Sequence, residues 1–207
     1  MLSENHIEHQ LGNLLTDPLK GKAWEGASER FCRGIMMHKH IDTFTDTHPV
    51  VTQSKALLSP RGYLKGVVLD ILYDHFLSLH WDRFCRIPRE VFIEDFRFKA
   101  MREMEEMHYP SQAKSVISRV VGSRQLSSYI HMHGVIDAFK RIDCRLSERV
   151  RCKDTCERYI PLIAEHREEL EEKFLIFFPE LLSSVDQVCR VNGVEHWIID
   201  SSFRKDS

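Results

Sequence analysis

An all-α, single-domain helical bundle is predicted by three features of the 207-residue chain. Turn formers are scarce, with Gly 9 and Pro 7, so long helices are expected between rare breaks. Apolar residues from Ala23 to Phe44 return at mixed three- and four-residue steps, the one-sided pattern of an amphipathic helix. The stretch from Tyr63 to Phe84 is apolar on nearly every side, as a helix at the centre of a domain is.

Each element follows from local chemistry. A helix from about Ala27 to Phe44 ends before Thr47-His48-Pro49, because the residue ahead of a proline is driven out of the helical region. Ser59-Pro60-Arg61-Gly62 makes a loop, and the apolar helix Tyr63–Phe84 follows. Pro88 suits a helix start, so Glu90 to Met107 forms a charged amphipathic helix closed by Tyr109-Pro110. A further helix from Ser111 or Gln112 to about Val121 is broken by Gly122-Ser123. Gln125 to Glu148 reads as one long helix with a bend near Gly134, and Glu157 to Val185 as the last, with Pro161 early and Pro179 near its end. Residues 1–189 are assigned to the helical domain and 190–207 to a loose polar tail, with no repeat or linker between domains.

Composition narrows the function classes. A net charge of −2 gives no global field for nucleic acid, and no apolar run approaches the ~18 residues of a membrane span. The segment Met1–His6 lacks the order of a signal peptide, and the six cysteines show no repeated short spacing. Reduced thiols and a cytoplasmic location are expected. Nothing in the sequence bears on oligomeric state.

Two polar clusters interrupt apolar helices. Asp70-x-x-x-Asp74-His75-x-x-x-x-His80 lies in the most apolar one, where an ionised carboxylate must pair, hydrogen-bond or bind a metal. Asp70 and Asp74 share a face, with His75 about 100° round from Asp74. His38-x-x-x-Asp42-x-x-x-Asp46 forms a second stripe at i, i+4 steps. Carboxylates with imidazole and no cysteine suit Mn²⁺, Mg²⁺, Fe²⁺ or Zn²⁺ rather than a thiolate zinc site. A single His–Asp pair on a helix is more often a surface or hydrogen-bonded pair. Two clusters on neighbouring core helices shift the balance toward a His/Asp metal cage.

Other residues have plainer readings. His131 and His133 are expected on different sides of a helix, and Cys144, Cys152 and Cys156 form no paired metal motif. Trp24, Trp81 and Trp197 suit packing. His6 and His9 fall in a mobile, exposed leader, and Glu165, Glu168, Glu169, Glu171 and Glu172 form a solvated face.

Three segments then carry a resemblance: Gly12-Asn13-Leu14-Leu15-Thr16-Asp17, the run Gly34 to Asp46 (GIMMHKHIDTFTD), and the run Asp70 to Trp81 (DILYDHFLSLHW). In order and separation they resemble the motifs of the acyl carrier protein phosphodiesterase family, and Glu169 to Leu181 resembles the family's closing helix. The likeness spans roughly residues 11–182, loosely over 120–160. Family members usually open with Asn-Phe-Leu-Ala-His, whereas the chain as given begins Met1-Leu2-Ser3-Glu4 without that histidine, a departure expected to bear on activity if the histidine serves the metal. His40 stands where the family often has a basic residue.

The resemblance implies a fold related to the HD phosphohydrolases and a divalent cation, usually manganese, with Mg²⁺ or Fe²⁺ as alternatives. It implies hydrolysis of the phosphodiester joining 4'-phosphopantetheine to a serine of acyl carrier protein, a step in lipid metabolism. By motif, Asp17, His38, Asp42, Asp46, Asp74 and His75 are expected at the metal or just behind it. A water activated by the cation would attack phosphorus in line, with Asp74, His75 and Asp42 as candidate catalytic residues that orient it or protonate the leaving oxygen.

Acyl carrier protein is small, acidic and helical, so a basic docking rim is expected. Residues 18–66 hold eight Lys or Arg against four acids, and Arg33, Lys39 and Lys65 are the candidate substrate-binding cations. The competing classes are an HD-like nucleotide phosphohydrolase and a non-catalytic helical interaction module.

Overall fold

A computed structural model describes residues 1–59, 61–123 and 125–191. Its helices are α1 (Ile7–Leu15), α2 (Glu29–Thr47), α3 (Pro49–Leu58), α4 (Lys65–Leu79), α5 (Trp81–Phe84), α6 (Arg89–Glu106) and α7 (Ser111–Gly122). They continue as α8 (Gln125–Ser128), α9 (Met132–Asp143), α10 (Glu148–Arg151), a 3-10 turn (Glu157–Tyr159), α11 (Ile160–Glu165) and α12 (Arg167–Val191). No strand occurs among the described residues, so the all-α expectation holds, and no described helix is long and apolar enough to cross a membrane.

The chain divides into two compact units, one of residues 1–45, 81–126 and 179 onward, the other of 46–80 and 127–178. In the first, α1 packs on α6 and α7. Its core joins Leu11 and Leu15 of α1, Phe31 and Ile35 of α2, Ala100 of α6, Tyr109, and Ala113, Ile117 and Val121 of α7. The four-residue steps within α1, α2 and α7 line up one buried stripe on each, and each large side chain contributes about 1.5–3 kcal/mol on burial. Trp24 packs its ring on Phe31 at 4.6 Å and on Tyr109 at 5.0 Å, as expected of a packing tryptophan.

Helices α1 and α2 touch backbone to backbone. A Cβ placed on Gly12 would meet the Phe31 carbonyl oxygen at 2.1 Å, and one on Gly34 would meet the His9 carbonyl oxygen at 2.2 Å and the Gly12 Cα at 3.0 Å. Only glycine at both positions permits this approach.

In the second unit α4 packs on α3 and α9, and α3 on α11. Val68, Leu69, Ile71, Leu72, Tyr73 and Phe76 of α4 are buried, which agrees with its apolar circumference. The Tyr73 hydroxyl and Ser54 Oγ share a hydrogen bond of 2.8 Å, and the Tyr73 ring lies against Phe174 and Phe177.

Several helix boundaries differ from expectation. The Tyr63–Phe84 segment is two helices: α4 begins after the N–H groups of Tyr63 and Leu64 are taken by the Asp154 carboxylate, and stops at His80, whose Nε2 lies 2.6 Å from Glu171 Oε1. The segment 125–148 is three pieces, because His131 (φ −114°, ψ 139°) and Ser147 (φ −62°, ψ 151°) are extended. The segment 157–185 breaks at His166, and α12 then runs through Pro179 to Val191, so Arg190 and Val191 are helical rather than tail. Trp197 and the rest of the expected tail, 192–207, lie outside the described residues. The extended backbone of His131 also brings its ring onto His133, stacked at 5.1 Å, where opposite faces were expected.

The expected leader is instead helix α1, and His9 is only 1% exposed. Its Nε2 sits 3.5 Å from Glu4 Oε1, and Glu4 is in turn paired with Arg33. Among the five acids of the expected solvated face, Glu171 is engaged by His80.

Two outcomes follow. Gly34→Ala is expected to cost about 3 kcal/mol, since the new Cβ meets rigid backbone, and a denaturant melt would show it. Burial lowers the His9 pKa from 6.5 to about 4, with Glu4 opposing. The native state then binds fewer protons than the unfolded one between these values, so stability falls as pH drops from 6.5 toward 4. Melting temperature against pH should fall by several degrees across that window, and His9→Gln should flatten the fall.

Candidate metal centre

The Gly12–Gly34 contact sets the residue after Gly12 beside the side chain one turn beyond Gly34. Asn13 Oδ1 lies 3.0 Å from His38 Nδ1. The amide orientation is fixed from behind, because Asn13 Nδ2 donates to the Leu2 carbonyl at 3.2 Å and to Ser3 Oγ at 2.9 Å. With Oδ1 as acceptor, Nδ1 of His38 carries a proton, and Nε2 is the ring atom turned toward the carboxylates.

His38 Nε2 faces Asp42 Oδ2 at 3.2 Å and Asp17 Oδ1 at 3.4 Å. His38 Nε2 is buried and has no hydrogen-bond partner. The three potential ligand atoms all lie within 4.8 Å of one another. Two carboxylates converging on an imidazole nitrogen call for positive charge among them, and one imidazole with two carboxylates is a donor set that fits a divalent cation. Asp17 and Asp42 are exposed (83% and 57% of their side chains), which leaves room for further ligands, as at catalytic rather than structural metal sites.

Asp42 is placed by the i, i+4 spacing within α2. Asp17 is placed by the turn that ends α1, where Thr16 Oγ1 donates to the Gly12 carbonyl at 2.8 Å and the Gly21 N–H to the Thr16 carbonyl at 2.7 Å. Lys39 Nζ donates to the Gly21 carbonyl at 3.2 Å, tying that turn to α2.

The first unit alone supplies this cluster; Asp46, Asp74 and His75 belong to the second. Asp46 pairs with Lys55 at 3.1 Å. His75 is buried on α4 and its Nδ1 donates to the Tyr129 carbonyl at 2.7 Å, an oxygen left outside any helix by the break between α8 and α9. Its Nε2 is likewise buried without a hydrogen-bond partner. Burial lowers the His75 pKa, the Tyr129 carbonyl raising it and Arg167 lowering it further, so the ring is held neutral with Nε2 as a lone pair. Asp74 reaches solvent at its surface, yet the crowding of protein atoms around it, and then Asp70 one turn away, push its carboxyl up to about 7.

The candidate docking cations are engaged within the fold. Arg33 contacts Glu4 and Glu29, Lys39 holds Gly21, and Lys65 Nζ donates to the Ser59 carbonyl at 3.4 Å. Asn13 was missed among the site residues: it lies in a quoted motif, but only the glycine pair, one in each motif, hints that the two segments touch.

Asn13→Ala is expected to free the His38 tautomer and weaken divalent binding by roughly 10- to 100-fold. Calorimetry with Mn²⁺ would measure the affinity, and nitrogen-15 shifts of His38 would report loss of the Nδ1–H form.

The family described as acyl carrier protein phosphodiesterase matches residues 1–181. Among proteins carrying that same name, one from Yersinia pestis is 27% identical over 176 residues, covering 83% of this chain and 87% of the relative. One from Escherichia coli K12 is 26% identical over 193 residues, 90% of this chain and 97% of the relative. One from Photorhabdus laumondii is 44% identical over 75 residues, 35% of this chain and 37% of the relative. No solved structure matches. With a family match across nearly the whole chain and relatives aligned over most of its length, the chain belongs to the acyl carrier protein phosphodiesterase family.

Proposed function

We propose that the chain is a divalent-metal-dependent phosphodiesterase that hydrolyses the 4'-phosphopantetheine–serine phosphodiester of holo-acyl carrier protein, giving apo-carrier protein and 4'-phosphopantetheine. The family membership supports the reaction class and the substrate. The observation that carries the metal is His38 Nε2, buried without a hydrogen-bond partner and flanked by two carboxylates.

Asp17, His38 and Asp42 would hold the cation, with Mn²⁺ the expected ion and Mg²⁺ or Fe²⁺ as alternatives. A cation there supplies positive charge against the diester oxygens and makes a nearby water more acidic. Asn13 would keep His38 Nε2 pointed at the site, and the open side between Asp17 and Asp42 would admit the diester. Asp74 and His75 remain candidates for moving protons to the leaving serine oxygen or for holding a cation, as does Asp46 for the latter. Six free cysteines and the lack of a spanning helix among the described residues are in keeping with action in the cytoplasm.

Purified protein with Mn²⁺ and holo-carrier protein should release the prosthetic group, seen by mass spectrometry, and chelation should stop it. His38→Ala and Asp42→Ala should each lower turnover by about 100-fold or more, with Asp74→Ala as a third variant. Mn²⁺ at ~100 times its dissociation constant should stabilise the wild type by about 2.7 kcal/mol, and His38→Ala should lose that shift. Hydrolysis of small nucleotides with none of holo-carrier protein would replace this reading with a nucleotidase, and no metal-dependent turnover would favour an interaction module.

A further inference from the structure

Residues 141–158 carry six cations, Arg141, Arg145, Arg149, Arg151, Lys153 and Arg158, against four acids, and all six cations are exposed. Two of those acids are consumed inside the second unit. Asp143 is buried and accepts the N–H groups of Cys156 at 2.7 Å and Glu157 at 3.0 Å. Asp154 is buried and accepts the N–H groups of Tyr63 and Leu64 at 2.7 and 3.0 Å and the Tyr159 hydroxyl at 2.8 Å. Burial alone would raise the Asp154 pKa, but the Leu64 N–H, the Tyr159 hydroxyl, the Tyr63 N–H and Arg158 together hold it below the usual carboxylate range. Only Glu148 and Glu157 remain at the surface to offset the cations.

The cations differ in how they are used. Arg33 is paired with carboxylates, and Lys39 and Lys65 donate to backbone carbonyls. Among the described residues Arg141, Arg145, Arg149 and Arg151 make no ion pair. A cation without an internal partner keeps its full field for an incoming anion. The same segment reaches Tyr63, which is 75% exposed: Lys153 Nζ lies 6.0 Å from its ring centroid and Asp154 accepts its N–H. Its backbone is pinned by Asp154 and by Gly62, whose φ of +156° and closeness to the Tyr159 hydroxyl exclude any side chain. An exposed aromatic on fixed backbone, with a lysine over its ring and an arginine-rich segment following Asp143, has the make-up of a binding hot spot.

We propose that the arginine-rich turn around α10, with Tyr63 as its apolar anchor, is the docking surface for an acidic helical protein, which on the reading above is the carrier protein itself. The occupant is a folded acidic protein rather than nucleic acid because the cations form one short segment on a chain of net charge −2. Such a surface would stand beside the docking role expected of Arg33, Lys39 and Lys65.

The test measures binding of apo-carrier protein, which lacks the scissile diester, by calorimetry at ~50 and ~150 mM salt. Arg145→Glu with Arg149→Glu is compared with Lys114→Glu with Arg119→Glu, an equal charge change on exposed positions of α7, both checked for wild-type melting. The α10-side pair should weaken binding by about tenfold or more and reduce its salt dependence, and the α7 pair by less than about twofold. Tyr63→Ala should weaken it by a similar factor. Equal losses in the two pairs, no loss in the first, or no binding by the wild type would overturn the assignment. So would tighter wild-type binding to a single-stranded RNA 12-mer that the Arg variants lose. Because apo-carrier protein cannot be hydrolysed, failure of docking and failure of the phosphodiesterase reading give separate results.

Discussion

Two glycines, one on each of the first two helices, let main chain rest on main chain, and the cluster of Asp17, His38 and Asp42 is built outward from that contact. Gly12 and Gly34 leave no space for a methyl group. Their approach puts Asn13 within hydrogen-bond reach of His38, and the turn that follows α1 carries Asp17 to the same point. Wider helix spacing would keep the hydrophobic core in some form, since cores tolerate repacking, but would separate an amide and an imidazole that must meet at 3.0 Å.

Around that contact the polar groups are arranged to fix orientation rather than to add stability. Leu2 and Ser3 hold Asn13, Asn13 holds His38, and Glu4 gathers Arg33 and His9 next to them. Buried ion pairs of this kind seldom add much net stability, because desolvation offsets their attraction. They do restrict geometry. The segment Leu2–Glu4 therefore belongs to the support of the site although it touches none of the three candidate ligands. Histidines 38 and 75 show the same device in different units: Nδ1 is committed to an oxygen, and Nε2 is buried without a hydrogen-bond partner.

What could be read from the residues was what depends on neighbours a few positions away. The i, i+4 spacing of His38 and Asp42 gives their contact directly, and the apolar circumference of α4 gives its burial. Helices α2, α6 and α7 end close to the prolines and glycine that announce them. Asp17 was reached only through the family likeness, because nothing local says that a loop aspartate returns to α2. The breaks at residues 129–131 and 166 and the early stop at His80 were missed. They depend on extended backbone or on distant partners such as Glu171, which no periodicity encodes. The burial of His9 is not legible locally, because it depends on α1 packing against segments about 90 to 110 residues away.

The threading of the chain sets an order of events during synthesis. Neither unit is contiguous: the first draws on residues 1–45, 81–126 and 179 onward, and the second on 46–80 and 127–178. Leu181, Leu182, Val185 and Cys189, near the end of α12, are all buried. A ribosome emitting this chain therefore releases α1 and α2, with Asp17, His38 and Asp42, well before the residues that complete either unit have left the exit tunnel. Contacts so distant in sequence are slow to form, and apolar stripes wait exposed meanwhile. A nascent chain of this design needs either late collapse or an escort that shields its first helices until the last one arrives.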